Sequence, residues 1–228
     1  AIFLINKMGV TLMNTSEAME KKNEIIGISL CDKLNSHGYK AQYVKDKESA
    51  LQEALKLIPN TATVGIPGSM TVREIGLVES LEKRGTQTAH HWHPNLGMEE
   101  VRVLLMKEFL SDWVVTSVNA IAFDKAMLIN IDGTGNRVGA MSWAPGKLLV
   151  IAGINKIAMT VHEAMSRARN IATPANTIRL NLSTPCATTG YCSDCNSPER
   201  ACHIVTMFER PPMGRECHVI IVGERLGY

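Results

Sequence analysis

Three short polar segments, each following an apolar run, carry the residue types that anion chemistry needs. The first is "GIPGSMT" at 65–71, the second "DGTGNR" at 132–137, the third "GINK" at 153–156. In the first, Gly68 lets backbone approach a ligand, and Ser69 and Thr71 offer hydroxyls. A helix starting there presents free N–H groups to a phosphate or carboxylate. The segment lacks the lysine of a Walker loop. In the second, Gly133 and Gly135 permit positive φ. Asp132, Asn136 and Arg137 can point into one site, Arg137 as a fork for a carboxylate or phosphate. Asp132 would orient Arg137 or act as a base. The competing local reading is a hairpin, because Asp-Gly is a turn signal between a strand at 126–131 and another at 138–142. With no crossover helix expected after it, the segment is not the dinucleotide fingerprint. In the third, Lys156 would meet an anion and Asn155 would orient it; a solvated loop lysine is the plainer alternative.

A fourth segment points to different chemistry. Of six cysteines, Cys31, Cys186, Cys192, Cys195, Cys202 and Cys217, four crowd into "CATTGYCSDCNSPERAC" at 186–202. Cys186, Cys192, Cys195 and Cys202 together suit a tetrahedral Zn²⁺ or a [4Fe–4S] cluster. Their spacing matches neither a zinc ribbon nor the bacterial ferredoxin run. Reduced packing residues or a Cys192–Cys195 redox pair are the alternatives. Cys31 and Cys217 sit in apolar surroundings and read as small buried hydrophobes. "HHWHP" at 90–94 has three histidines but no carboxylate in a recognisable metal pattern, so it reads as a partly buried loop.

The elements that must position these segments alternate along the chain. Helical periodicity covers Ser16 to about Asn35, a second helix follows Asp46, and others span about 72–83, 98–110 and 160–170, the last followed by Pro174. Strands are expected at 39–44, 62–66, 112–117, 126–131 and 147–153, with closing strands at 203–208 and 217–222. Alternation of this kind predicts an α/β fold: a mainly parallel central sheet with helices on both faces. Such sheets bind ligands at the carboxyl ends of their strands, where all three glycine segments fall. Residues 1–14 are expected to be an extension to one domain at 15–228. They lack the pattern of a secretory signal.

Bulk composition excludes several partners. In 228 residues, 45% are apolar, 20% charged and 5% aromatic, with a net charge of +2. Neither a basic field nor aromatic platforms for nucleic acid are present. No apolar run suits membrane insertion. A cytoplasmic protein is expected.

Residues 117–141, "LLVIAGINKIAMTVHEAMSRAR" and "TPCATTGYCSDCNSPERACH" resemble the LUD (lactate-utilisation) domain family over about residues 15–228, in its cysteine-containing subgroup. "PGSMTVREIGL" also fits. The resemblance implies an architecture similar to ribose-phosphate isomerase, glucosamine-phosphate deaminase and CoA-transferases, whose comparable loop holds phosphate or CoA. It implies a component of lactate (2-hydroxy acid) oxidation, working beside iron–sulfur partner subunits or as a homo-oligomer. Asn119 is retained as a site residue, while Phe123, Asp124 and Lys125 depart from the family pattern and are expected beside the site. Two rival readings are an isomerase or transferase acting on a phosphorylated sugar or CoA ester, with Glu74 as the candidate nucleophile, and a metal-stabilised scaffold or regulatory subunit.

Overall fold

A computed structural model describes residues 13–228. Most of the expected N-terminal extension lies outside the described residues. Helix α1 (Thr15–Ser36) starts at a capping box, in which Asn14 accepts from the Glu17 amide and Glu17 accepts from that of Asn14. Such a cap contributes about 1 kcal/mol. Next come β1 (Lys40–Val44), α2 (Lys47–Leu57), capped by Asp46 as expected, and β2 (Thr63–Gly65). The helix expected over 72–83 is two: α3 (Met70–Glu74) and α4 (Leu77–Lys83). Gly76 divides them at φ +71, a left-handed conformation that stops one helix and turns the next.

Strand β3 (Gln87–Ala89) and helix α5 (Met98–Leu110) precede β4 (Trp113–Thr116), then β5 (Ala120–Ala122) and β6 (Met127–Asp132). Helix α6 (Asn136–Trp143) leads to β7 (Lys147–Gly153), a short 3₁₀ turn (Ile154–Lys156) and β8 (Ile157–Ala158). The chain then runs through α7 (Val161–Arg167), α8 (Thr173–Arg179) and α9 (Pro185–Thr189) to β9 (Ile204–Phe208) and β10 (Cys217–Val222).

Six strands pair in the order β1-β10-β7-β4-β2-β3, all parallel. This is the expected α/β sheet. Strand β10 is not peripheral; it lies between β1 and β7, and every residue of it is buried. Alternation along β7 explains the two-sided core. Leu148, Val150 and Ala152 pack with α1 and α6 on one face, Leu149 and Ile151 with α2 and α4 on the other.

Three expectations need correction. Residues 127–132 do not join the parallel sheet: β6 belongs to a second, four-stranded sheet of order β8-β5-β6-β9. A short turn folds β5 back on β6, leaving no crossover that could make β6 parallel to the main strands. Residues 138–142 are helical, not a hairpin strand, so the glycine segment at 132–137 does feed a helix. The helix expected over about 160–170 does not end before Pro174. A π turn at Ala168–Ala172 widens the backbone ahead of it, and the Thr173 hydroxyl donates to the Ala168 carbonyl. Helical structure thereby continues through α8 without the usual proline clash.

Candidate functional site

The loops after β2, β4, β6 and β7 meet in a cleft of about 540 Å³ at the carboxyl edge of the main sheet. Gly68 and Ser69 line it from the first loop, Ser117 and Asn119 from the second. Asp132, Gly133, Asn136 and Arg137 line it from the third, and Lys156 from the fourth. Thr71, Gly135, Asn155 and Glu74 are not among its lining residues. Phe123, Asp124 and Lys125 do not flank the cleft; they turn between β5 and β6, where Phe123 packs on the core beneath Lys33.

Several lining residues build the site's walls. Ser69 accepts the Val72 amide and so caps α3, while its own O–H is left to donate. Gly68 adopts φ +127, and a Cβ there would meet nothing, so glycine is required by conformation at a position open to the cleft. Asn136 donates to the Pro67 carbonyl at 2.8 Å and ties two loops together. The Asp132 carboxylate accepts from the amides of Gly135 and Val138, which fills the start of α6. The anion at that helix terminus is therefore supplied by the chain itself.

Arg137 is anchored on one side only. Its guanidinium donates to the side chains of Asn130 and Asn119 and to the Ile131 carbonyl. Asp132 comes only within 3.9 Å of its Nε. Of five N–H groups, that leaves Nε and one on NH1 without a hydrogen-bond acceptor among the described residues. Burial pulls its pKa down, opposed by the charge on Asp132.

Lys156 is 5% exposed, and Nζ lies 2.9 Å from Thr71 Oγ1 and 3.0 Å from Ser117 Oγ. Among the described residues no carboxylate is ion-paired with it. Burial, then the charges of Arg167 and Arg137, pull its pKa down to about 7, with Glu74 acting in the opposite sense. The segment after β10 folds over this lysine. Asn155 accepts the Leu226 amide at 3.0 Å, and Glu74 accepts the Gly227 amide at 2.6 Å. Asn155 and Glu74 thus hold the covering segment. Gly153 is needed because a Cβ there would lie 2.6 Å from the Leu226 nitrogen.

Sequence reasoning missed two structural supports of this site. Arg167, buried on α7, donates to the Asn155 carbonyl at 2.7 Å and to the Asn119 carbonyl, joining two loops. Burial lowers its pKa to about 10. Nothing local in "SRAR" marks it, since its burial depends on where α7 packs. The second is His91, which the histidine cluster did offer. It lines the cleft, and its Nδ1 lies 2.8 Å from Oε1 of the buried Glu108. Burial raises the Glu108 pKa, offset by the bond to His91, and Glu108 Oε2 has no partner among the described residues. Trp92 joins the lining with Arg73 stacked over its ring at 4.0 Å. Arg73, Arg179 and Arg200 bring further positive charge to the rim, against Glu199.

The cysteine segment contributes Glu199, Arg200 and Ala201 to the lining, with His203 just after it. Its thiols do not make a metal cradle as they stand. Cys186 is buried on α9, with its sulfur 3.4 Å from the hydroxyls of Thr177 and Thr184. Cys192, Cys195 and Cys202 are half-buried; burial raises the Cys202 pKa, and the nearby charge of Arg200 opposes that. Among the described residues no three metal-binding side chains are grouped closely enough to hold an ion. The donor set therefore fits zinc or a cluster by chemistry and not by placement. Likewise, no helix among the described residues is long and apolar enough to cross a membrane.

No curated protein matches the chain significantly. Among solved structures, a DUF162 family protein from Deinococcus radiodurans is similar in fold, with TM-score 0.50 and 17% identity. The alignment covers 88% of this chain and 98% of that one. The LUD domain model matches residues 29–222, from within α1 to the end of β10. That span takes in every loop of the cleft except the covering segment, and the chain belongs to the LUD domain family.

Proposed function

We propose that the cleft holds a small 2-hydroxy or 2-oxo acid by its carboxylate, in the organic-acid metabolism that the lactate-utilisation resemblance implies. One observation carries this reading. Arg137 and Lys156, from different loops, face one cleft, and the nearby carboxylate of Asp132 is committed to the amides of α6. Asp132, 3.9 Å from Nε, only partly offsets the Arg137 guanidinium, and Arg73, Arg179 and Arg200 add positive charge, which favours an anionic ligand; the two unmatched N–H groups of Arg137 can receive it.

Calorimetry with lactate, pyruvate and inorganic phosphate tests the reading. A carboxylic acid should bind, and Arg137→Ala should weaken it by about 1.5–3 kcal/mol, the worth of a charge-assisted hydrogen bond. Absence of binding by either acid, or unchanged affinity in the variant, would sink it. A second reading draws on the cleft's size. A three-carbon acid leaves most of the 540 Å³ unfilled, and Arg73, Arg179 and Arg200 extend the positive lining. A phosphorylated sugar or CoA ester would use that space. Preference for phosphate over both acids in the same titrations would favour it.

A further inference from the structure

Among the side chains of the cleft, Lys156 is the one whose hydrogen bonding favours a neutral, nucleophilic form. A neutral amine has two N–H groups and a lone pair; an ammonium has three N–H groups. Two acceptors stand within reach of Nζ, Thr71 Oγ1 and Ser117 Oγ. The Thr71 hydroxyl donates its own proton toward the Leu226 carbonyl, which leaves its oxygen to accept from Lys156. A third N–H on this nearly buried nitrogen has no acceptor among the described residues, and both Arg137 and Arg167 repel the charge it would bring. With two N–H groups matched, the lone pair occupies the remaining tetrahedral direction. Gly227 preserves the space around Nζ, since a Cβ there would sit 3.2 Å from it.

We infer that Lys156 is a covalent catch for a small carbonyl compound bearing an anionic group, in the first instance a 2-oxo acid, which it binds as an imine. A lysine desolvated beside other cations is a nucleophile at neutral pH. Here Arg137 would take the anionic group and bring the carbonyl carbon to Nζ. The nitrogen lone pair forms the C–N bond while the carbonyl π pair moves to oxygen, which takes a proton from nitrogen. The resulting carbinolamine loses its hydroxyl, with the second N–H proton, as water. Amine and carbonyl give imine and water, with no change of oxidation state and no further reactant. The anionic group can be a carboxylate or a phosphate, and the test separates them.

The inference rests on the anion-binding reading of the same cleft, so the experiment measures both. The full chain is incubated with pyruvate and cyanoborohydride, digested and mapped by mass spectrometry. A parallel reaction uses dihydroxyacetone phosphate. The expected product is one adduct per chain at Lys156, equal in mass to the carbonyl compound less water plus two hydrogens. Labelling should be blocked by excess lactate, which has the carboxylate and no carbonyl, and should be absent in Lys156→Met. Labelling by dihydroxyacetone phosphate in preference to pyruvate supports the imine and assigns phosphate as the anionic group. Calorimetric binding of lactate and pyruvate to wild type without a Lys156 adduct overturns the imine and leaves the anion cleft standing. Neither binding nor labelling overturns both. Mapping is done on wild-type protein, so the outcome does not depend on how well the variant folds.

Discussion

Replacing Lys156 by Met should change how stability depends on pH, by an amount that follows from the burial of this one group. The pKa of Lys156 is about 7 in the folded chain against an ordinary 10.5. At low pH the ammonium is held in a site that disfavours it, at a cost of about 5 kcal/mol. Between the two values the unfolded chain binds the extra proton, so wild-type stability rises with pH. Linkage puts the gain from pH 6 to pH 9 at about 3 kcal/mol, most of it above pH 7. The Met variant keeps most of the aliphatic volume and has no such proton. Urea unfolding of both proteins at closely spaced pH values gives the difference directly, because other titrating groups largely cancel. The gap should favour Met most at pH 6 and shrink by that amount toward pH 9. Parallel curves across this range would mean that Lys156 keeps an ordinary pKa, and the argument from its burial would be wrong.

Arg167→Met should destabilise the fold by about 3 kcal/mol, since it removes two charge-assisted bonds and leaves the carbonyls of Asn119 and Asn155 unmatched; a loss under about 1 kcal/mol in urea unfolding would dismiss this link between the loops. Asp132→Ala should cost about 1–2 kcal/mol through loss of the α6 cap. Unchanged thermal stability, with ligand affinity abolished, would instead make Asp132 a ligand-binding or catalytic group. Thiol titration of the native chain should resolve a fast class, Cys192, Cys195 and Cys202, and a slow one, Cys31, Cys186 and Cys217, because the latter are buried and burial pushes Cys31 up to about 12 and Cys217 to about 11. If all four clustered thiols are ligands, anaerobic reconstitution with iron and sulfide, or with zinc, needs Cys186 to leave Thr177 and Thr184; stoichiometric metal uptake unchanged in Cys186→Ser would exclude a four-thiolate site.

Local physics made much of this protein legible in its sequence. The apolar run at 147–153 became β7 with those same bounds, and Asp46 capped its helix, because unbroken burial and capping are properties of neighbouring residues. The alternation of strands and helices carried the parallel sheet, and with it the meeting of Ser69 and Lys156 at one edge, whereas Arg137 reaches that edge from the second sheet. Pairing partners were not legible. Strand β6 looks as apolar as β7, yet a tight turn after β5 commits it to the second sheet, and periodicity has no information about which strand lies alongside. Nor did residue type reveal function within the motifs. Asp132, Asn136, Asn155 and Glu74 all resemble ligand groups in sequence, and each is engaged by a backbone group that folding brings to it: the amides of Gly135 and Val138, the Pro67 carbonyl, and the amides of Leu226 and Gly227. Conversely, His91 and Arg167 gained their places only when Glu108 and the loop carbonyls arrived from distant elements. A side chain's chemistry is set by which of its hydrogen-bonding groups remain unmatched and by the charges buried beside it, and for Lys156 both were decided by contacts up to 85 residues away along the chain.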